Sequence, residues 1–225
     1  MKTWLLLSCL ALAWMPPARA GTITGVVTGE GGDPNPAAPN RDKYESRKFK
    51  FVERIDYSKL RDFVVHIEQL RPASADLTSR TASVVIQKDA VFTPHMLAIV
   101  AGTTVEWPNN DNIFHNVFSF SESRQFDLGL YKNEIKRVKF DKPGRVDIFC
   151  SIHKDMHCII LVLENPYFAV ANTKGDYTIL NVPPGTYSLR AWHERLPIQS
   201  KTIKVPDSGS VKVDFTLSVK NLPKY

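Results

Sequence analysis

Short runs of alternating β-branched and aromatic residues recur along most of this 225-residue chain, each closed by Gly, Pro, Asn or Asp, while apolar residues at helical spacing are scarce. Side chains that alternate between two faces suit a half-buried strand, and the turn residues let the backbone reverse. The pattern predicts an all-β protein. Strands are expected over 22–28, 63–69, 83–87, 96–100, 103–107, 115–119, 136–140, 144–150 and 158–163, then over 168–171, 176–180, 185–193, 199–205 and 211–217.

The first twenty residues break that pattern. Lys2 leads into an apolar run from Trp4 to Met15, followed by Pro16, Pro17 and the small-residue ending Ala18-Arg19-Ala20. This reads as a secretory leader over 1–20, cleaved before Gly21, and so predicts a periplasmic or secreted protein. The run is well short of the roughly 20 apolar residues that cross a bilayer. No later segment approaches that length, so no membrane span is expected. The chain from Gly21 onward is long enough for two domains of about 100 residues each. The formal charge of +6 falls to about +4 once Lys2 and Arg19 leave, too mild a surplus to argue for nucleic acid.

Cys9 also leaves with the leader, so Cys150 and Cys158 remain. In an oxidising compartment two cysteines can pair, and a disulfide is one reading. The company of Cys150 favours another. The stretch Phe149-Cys150-Ser151-Ile152-His153-Lys154-Asp155-Met156 places a thiolate, an imidazole and a thioether within seven positions, and Phe114-His115-Asn116 offers a second imidazole upstream. Two imidazoles, one Cys sulfur and a weak axial Met are the ligand types of a blue-copper site. Cys158 would then alternate inward with Ile160 and Val162 as a buried free thiol.

Residues 73–164 resemble the cupredoxin family. The run Ile99-Val100-Ala101-Gly102-Thr103-Thr104-Val105-Glu106-Trp107 gives two strands about a Gly102 turn, and the Asn/Asp cluster at 109–112 gives a loop that delivers His115. The Cys-x-x-His-x-x-Met loop is similar to that of amicyanin, whereas plastocyanin and pseudoazurin have a longer gap before Met. Phe126-Asp127-Leu128-Gly129-Leu130-Tyr131 points to the plastocyanin-like subgroup labelled methylamine-utilisation proteins. The resemblance implies a Greek-key β-barrel holding one type 1 copper on His115, Cys150, His153 and Met156, with Asn116 tying the ligand loops together and the His153 edge as electron port. Phe114, Phe118 and Phe149 are expected to exclude water from the metal. Lys154 stands where many relatives have Pro, and its charge would favour Cu(I). His157, next to Met156, either competes as a ligand or faces solvent.

The flanks, 21–72 and 165–225, resemble the two parts of a carboxypeptidase-regulatory-like domain, an immunoglobulin-like or prealbumin-like β-sandwich. The residues that carry this are Gly21-Thr22-Ile23-Thr24-Gly25-Val26-Val27 and the stretch from Asn172 through Val182-Pro183-Pro184-Gly185 to Leu189. The expected arrangement is therefore a cupredoxin inserted in a sandwich whose two parts pack on each other. Between the first flank strands, 33–61 is rich in Arg and Lys interrupted by Asp and Glu, and reads as a solvated loop or a docking patch for an acidic redox partner.

The expected function is an exported electron carrier working between redox protein partners. Two alternatives use the same residues: copper storage or delivery without turnover, and a non-redox adaptor whose sandwich binds a protein or carbohydrate. Zinc would gain nothing from Met156. An enzyme is not expected, because copper oxidases and nitrite reductases need a further copper, and His66, His95 and His193 are too scattered in sequence to form its cluster. A binuclear centre is disfavoured because Cys150 and Cys158 are too far apart for a Cys-x-x-x-Cys loop.

Overall fold

The computed structural model describes residues 20–31, 55–68 and 83–220. The expected leader before Ala20, the basic stretch as far as residue 54, the expected boundary at 72–73 and residues 221–225 lie outside them. Among the described residues there are eighteen strands, a single 3₁₀ turn at Tyr57–Lys59 and no α-helix. No helix there is long and apolar enough to cross a membrane. The chain is all-β, as its alternation predicts.

The central part is two sheets packed face to face with a small hairpin beside them. One sheet holds β10 (Ile135–Phe140), β7 (Thr103–Pro108) and β3 (Ser83–Val84) in that order. The other runs β6 (Met96–Val100), β12 (His157–Leu163), β11 (Gly144–Phe149), β8 (Phe118–Ser121) and β9 (Arg124–Asp127). The hairpin pairs β4 (Ile86–Lys88) with β5 (Val91–Thr93). Gly102 makes the turn from β6 to β7 with φ of +89°, a conformation that costs a residue with a Cβ. Trp107, Phe92, Phe140, Ile148 and Ile160 fill the core between the sheets, each such side chain contributing about 1.5–3 kcal/mol of burial.

The flanking segments form two further sheets that share a core. In one, β1 (Gly21–Glu30) pairs antiparallel with β14 (Asp176–Val182), and parallel first with β17 (Ser210–Lys212), then with β18 (Phe215–Ser218). The other runs β13 (Phe168–Val170), β2 (Val64–Ile67), β15 (Gly185–His193) and β16 (Leu196–Val205). Ile23, Val27, Val65 and Ile67 from the first segment pack with Tyr177, Ile179, Leu189 and Phe215 from the last.

Strand β12 joins the two parts. Its sequence, His-Cys-Ile-Ile-Leu-Val-Leu, is a nearly unbroken apolar run, as a strand covered on both faces requires. Cys158, Ile160 and Val162 enter the central core. Ile159, Leu161 and Leu163 face the other way and pack with Met96 and, from the flanks, Val64 and Trp192.

Three expectations need correction. The strand expected over 115–119 starts only at Phe118, because His115 instead sits in an isolated bridge with Tyr131. The expected strands 83–87 and 211–217 are each broken in two. In the second, Tyr177 Oη donates to the Val213 carbonyl and Asp214 Oδ1 accepts from Val26 N, so the chain turns aside between β17 and β18. A Cβ at Gly25 would collide with that same Val213 carbonyl. Strands β5 and β9 had no expected counterpart, being only three and four residues long.

Candidate metal centre

The loop between β7 and β8 delivers His115, and its own Asn and Asp side chains shape it. Asn109 Nδ2 donates to the carbonyls of Ile113 (3.0 Å) and Tyr131 (2.9 Å), while its Oδ1 accepts from Asp111 N (3.0 Å). His115 and Tyr131 exchange both backbone hydrogen bonds, at 3.1 and 2.9 Å. Tyr131 is itself anchored, its hydroxyl donating to the Trp107 carbonyl at 2.9 Å. Burial pushes that phenol's pKa well up, against the opposing pull of Gln87.

Asp111 fixes the imidazole of His115, a role the sequence reading missed. Its Oδ2 lies 2.8 Å from His115 Nε2, and the carboxylate also accepts from Asp89 N (2.7 Å) and Ala90 N (2.9 Å). Burial alone would raise the Asp111 carboxyl, but the hydrogen bonds from Ala90, His115 and Asp89 outweigh it and hold its pKa at about 2. With Nε2 protonated toward Asp111, Nδ1 of His115 keeps its lone pair for another partner.

The second ligand loop follows β11. Cys150 N donates to the Met156 carbonyl (3.3 Å) and Met156 N to the His153 carbonyl (3.0 Å), which folds 150–156 into a closed turn. His153 Nδ1 lies 3.0 Å from His115 Nδ1 and 3.7 Å from Cys150 Sγ. One donor atom from each of His115, Cys150 and His153 falls within 4.8 Å of the others. His115 is fully buried, Cys150 and Met156 are buried and His153 is half-exposed. Met156 packs in the same core as Cys150, with Val117 and Tyr131. Two imidazole nitrogens and a cysteine sulfur beside a buried thioether make a donor set that fits copper in both oxidation states.

Asn116 is buried and its Nδ2 donates to Ser151 Oγ at 3.3 Å, linking the two loops. The aromatic residues are placed differently from expectation. Phe114 is 55% exposed and Phe149 38%, so neither seals the centre. Alternation along β11 turns Phe149 outward while Ile148 and Cys150 turn in. Phe118 is half-buried against Phe149, at 6.0 Å between ring centroids. Cys150 and Cys158 are free thiols, which sets aside the disulfide reading. Burial and the Asp147 charge push the Cys158 thiol's pKa up, so it stays a neutral core residue.

His157 does not turn toward Cys150. Its Nε2 meets Asp147 Oδ1 at 3.1 Å and its ring stacks on Phe149 at 4.9 Å. His193 is buried in the flanking part against Phe63, and His66 lies half-buried on β2.

No protein-family model matches the chain, and no curated protein matches it. Among solved structures it is similar to the Cu-containing nitrite reductase (NirK) from Thermus scotoductus SA-01, 30% identical over 38% of this chain, with a TM-score of 0.36. The chain spans only 23% of that reductase chain. It is similar also to a purple cupredoxin from Nitrosopumilus maritimus, 22% identical over 36% of this chain and 99% of that one, TM-score 0.33. A Cu(I) form of an amicyanin mutant shows 20% identity over 44% of this chain and 98% of that one, TM-score 0.35.

Proposed function

We propose that residues 73–164 form a cupredoxin domain inserted between the two parts, 21–72 and 165–225, of a carboxypeptidase-regulatory-like sandwich. In this reading the protein is exported, binds one type 1 copper through His115, Cys150, His153 and Met156, and carries single electrons between redox proteins without being an enzyme. The observation that carries the reading is the convergence of Nδ1 of His115, Nδ1 of His153 and Sγ of Cys150 from two separate loops.

Copper bound there would supply a one-electron couple between Cu(I) and Cu(II). The chain's residues do the rest. Asp111 holds the His115 ring in one tautomer and orientation. Asn116 and Ser151 restrain the two loops relative to each other, and the backbone bonds within 150–156 fix Cys150, His153 and Met156 as one unit. A donor set held this firmly rearranges little when its charge changes. His153 is the ligand nearest to solvent, and Ile113, Phe114, Leu130 and Ile152 are exposed apolar residues on or near the ligand loops. This favours a docking face with an apolar rim, where a partner would approach the His153 edge.

The test is the visible absorption and electron paramagnetic resonance spectrum of the mature protein loaded with Cu(II), beside Cys150→Ala. An intense copper–thiolate band that disappears in the variant is the expected result. A colourless wild-type protein would sink the reading.

A further inference from the structure

His95, His157 and Glu194 come from three distant points in the chain, yet one ring nitrogen of each histidine and one Glu194 oxygen lie within 4.8 Å of one another. Nε2 of His95 stands 3.4 Å from Oε1 of Glu194. Each residue is held by its surroundings. His95 lies in the turn between β5 and β6, its carbonyl accepting from Ile159 N at 2.8 Å and its Nδ1 standing 3.3 Å from the His157 carbonyl. His157 opens β12, stacked on Phe149 and bonded to Asp147. Asp147 is fixed in turn by two hydrogen bonds from Arg145, of 2.9 and 2.7 Å. Glu194 occupies the tight turn from β15 to β16, where His193 Nδ1 accepts from Arg195 N at 3.1 Å. Arg195 Nε is 3.7 Å from Glu194 Oε1, an ion-pair contact rather than a hydrogen bond.

We propose that His95, His157 and Glu194 form a second metal site, taking a divalent transition cation of the zinc class. Two imidazoles and one carboxylate are a zinc donor set, and three protein ligands leave a position for water. Calcium and magnesium prefer all-oxygen cages, and without sulfur the group has little to offer Cu(I). Asp147 behind His157 is the carboxylate–histidine arrangement that orients a ligating ring. The ligand side chains are 42%, 27% and 23% exposed, so an ion can enter from solvent. His95 and His157 belong to the central part and Glu194 to the flanking part, so the cation would clip the two together beside the apolar contact of Ile159, Leu161 and Trp192. The site uses none of His115, Cys150, His153 and Met156, and stands or falls separately from the copper reading.

The test is zinc titration of the full mature chain by calorimetry, with stoichiometry read by equilibrium dialysis, on wild type, His95→Ala, Glu194→Gln and Cys150→Ala. Zinc can also enter the Cys150 group, so wild type is expected to take two ions. His95→Ala should lose one of them, and Glu194→Gln should weaken that one by roughly tenfold or more. Cys150→Ala should lose only the other. Zinc should raise the melting temperature of Cys150→Ala but not of the same variant carrying His95→Ala. Because His95 and Glu194 are both partly exposed, their variants should keep wild-type near-ultraviolet circular dichroism. Wild-type zinc binding in both His95→Ala and Glu194→Gln would overturn the proposal, as would complete loss of zinc in Cys150→Ala.

Discussion

Met156 and His157 are consecutive residues, yet Met156 is buried in the core that holds Cys150 while His157 joins His95 and Glu194. Strand alternation explains the split. Met156 shares its side of the sheet with Cys158 and Ile160, which enter the central core, whereas His157 lies with Ile159 and Leu161 on the opposite face. The first cluster is buried except at His153, contains sulfur and lies within one part of the molecule. The second is partly exposed, uses only nitrogen and oxygen donors, and needs both parts to be docked. The start of β12 thus adjoins two groups of opposite character, because its two faces meet different environments.

The comparison can be broken most forcefully at Asp111. Asp111→Ala removes the acceptor for Asp89 N, Ala90 N and His115 Nε2. Three donors left without partners at 1–3 kcal/mol each, partly relieved by water at the loop, predict a loss of about 4 kcal/mol in urea denaturation. With His115 free to turn, metal affinity at the Cys150 group should fall roughly 10–100-fold, while zinc binding by His95, His157 and Glu194 is unchanged. A loss below about 1 kcal/mol would mean that the Asp111 network is already solvated.

Ile159→Ala attacks the other side. Ile159 is 1% exposed and packs between Met96 and the flanking residues Val64 and Trp192. Truncation should cost about 3 kcal/mol and loosen the docking that brings Glu194 to His95. Zinc affinity at that cluster should weaken while the spectrum of copper at the Cys150 group stays as in wild type. Equal weakening at both would show that the two clusters are coupled through β12.

The two clusters also differ in how far the sequence reveals them. Cys150, His153 and Met156 fall at fixed short spacing, because a single closed turn positions all three, and a local turn leaves a local motif. His115 is distant in sequence but carries its delivery loop, Asn109 to Asp111, beside it. The inward set of β12, Cys158, Ile160 and Val162, was legible from alternation, but that its other face is covered by the flanks was not. His95 and Glu194 leave no such trace. His95 follows a proline in a turn and Glu194 sits in a hairpin, and only the packing of two sheets from different parts of the chain brings them together. Phe149 failed for a related reason, since adjacency to Cys150 at the end of β11 puts it on the opposite face, whereas Phe114 lies in the loop before β8 and is exposed there.

Glu194→Gln in metal-free protein should have the smallest effect. In the absence of a cation, Glu194 has His95 at 3.4 Å and Arg195 at 3.7 Å, with side chains 42% and 40% exposed. Exposed pairs of this kind contribute about 0.2–1 kcal/mol, less at high salt, so the metal-free variant should match wild type within about 1 kcal/mol in urea denaturation. The contrast with Asp111 is one of burial: both carboxylates face a histidine, but water can replace the partners of Glu194 and cannot easily replace those of Asp111. Added zinc should then separate wild type from Glu194→Gln, because an ion that binds only the folded state stabilises it by mass action. A large metal-free loss would instead make Glu194 a permanent structural clasp between the two parts, its carboxylate committed to His95 and Arg195 before any cation arrives.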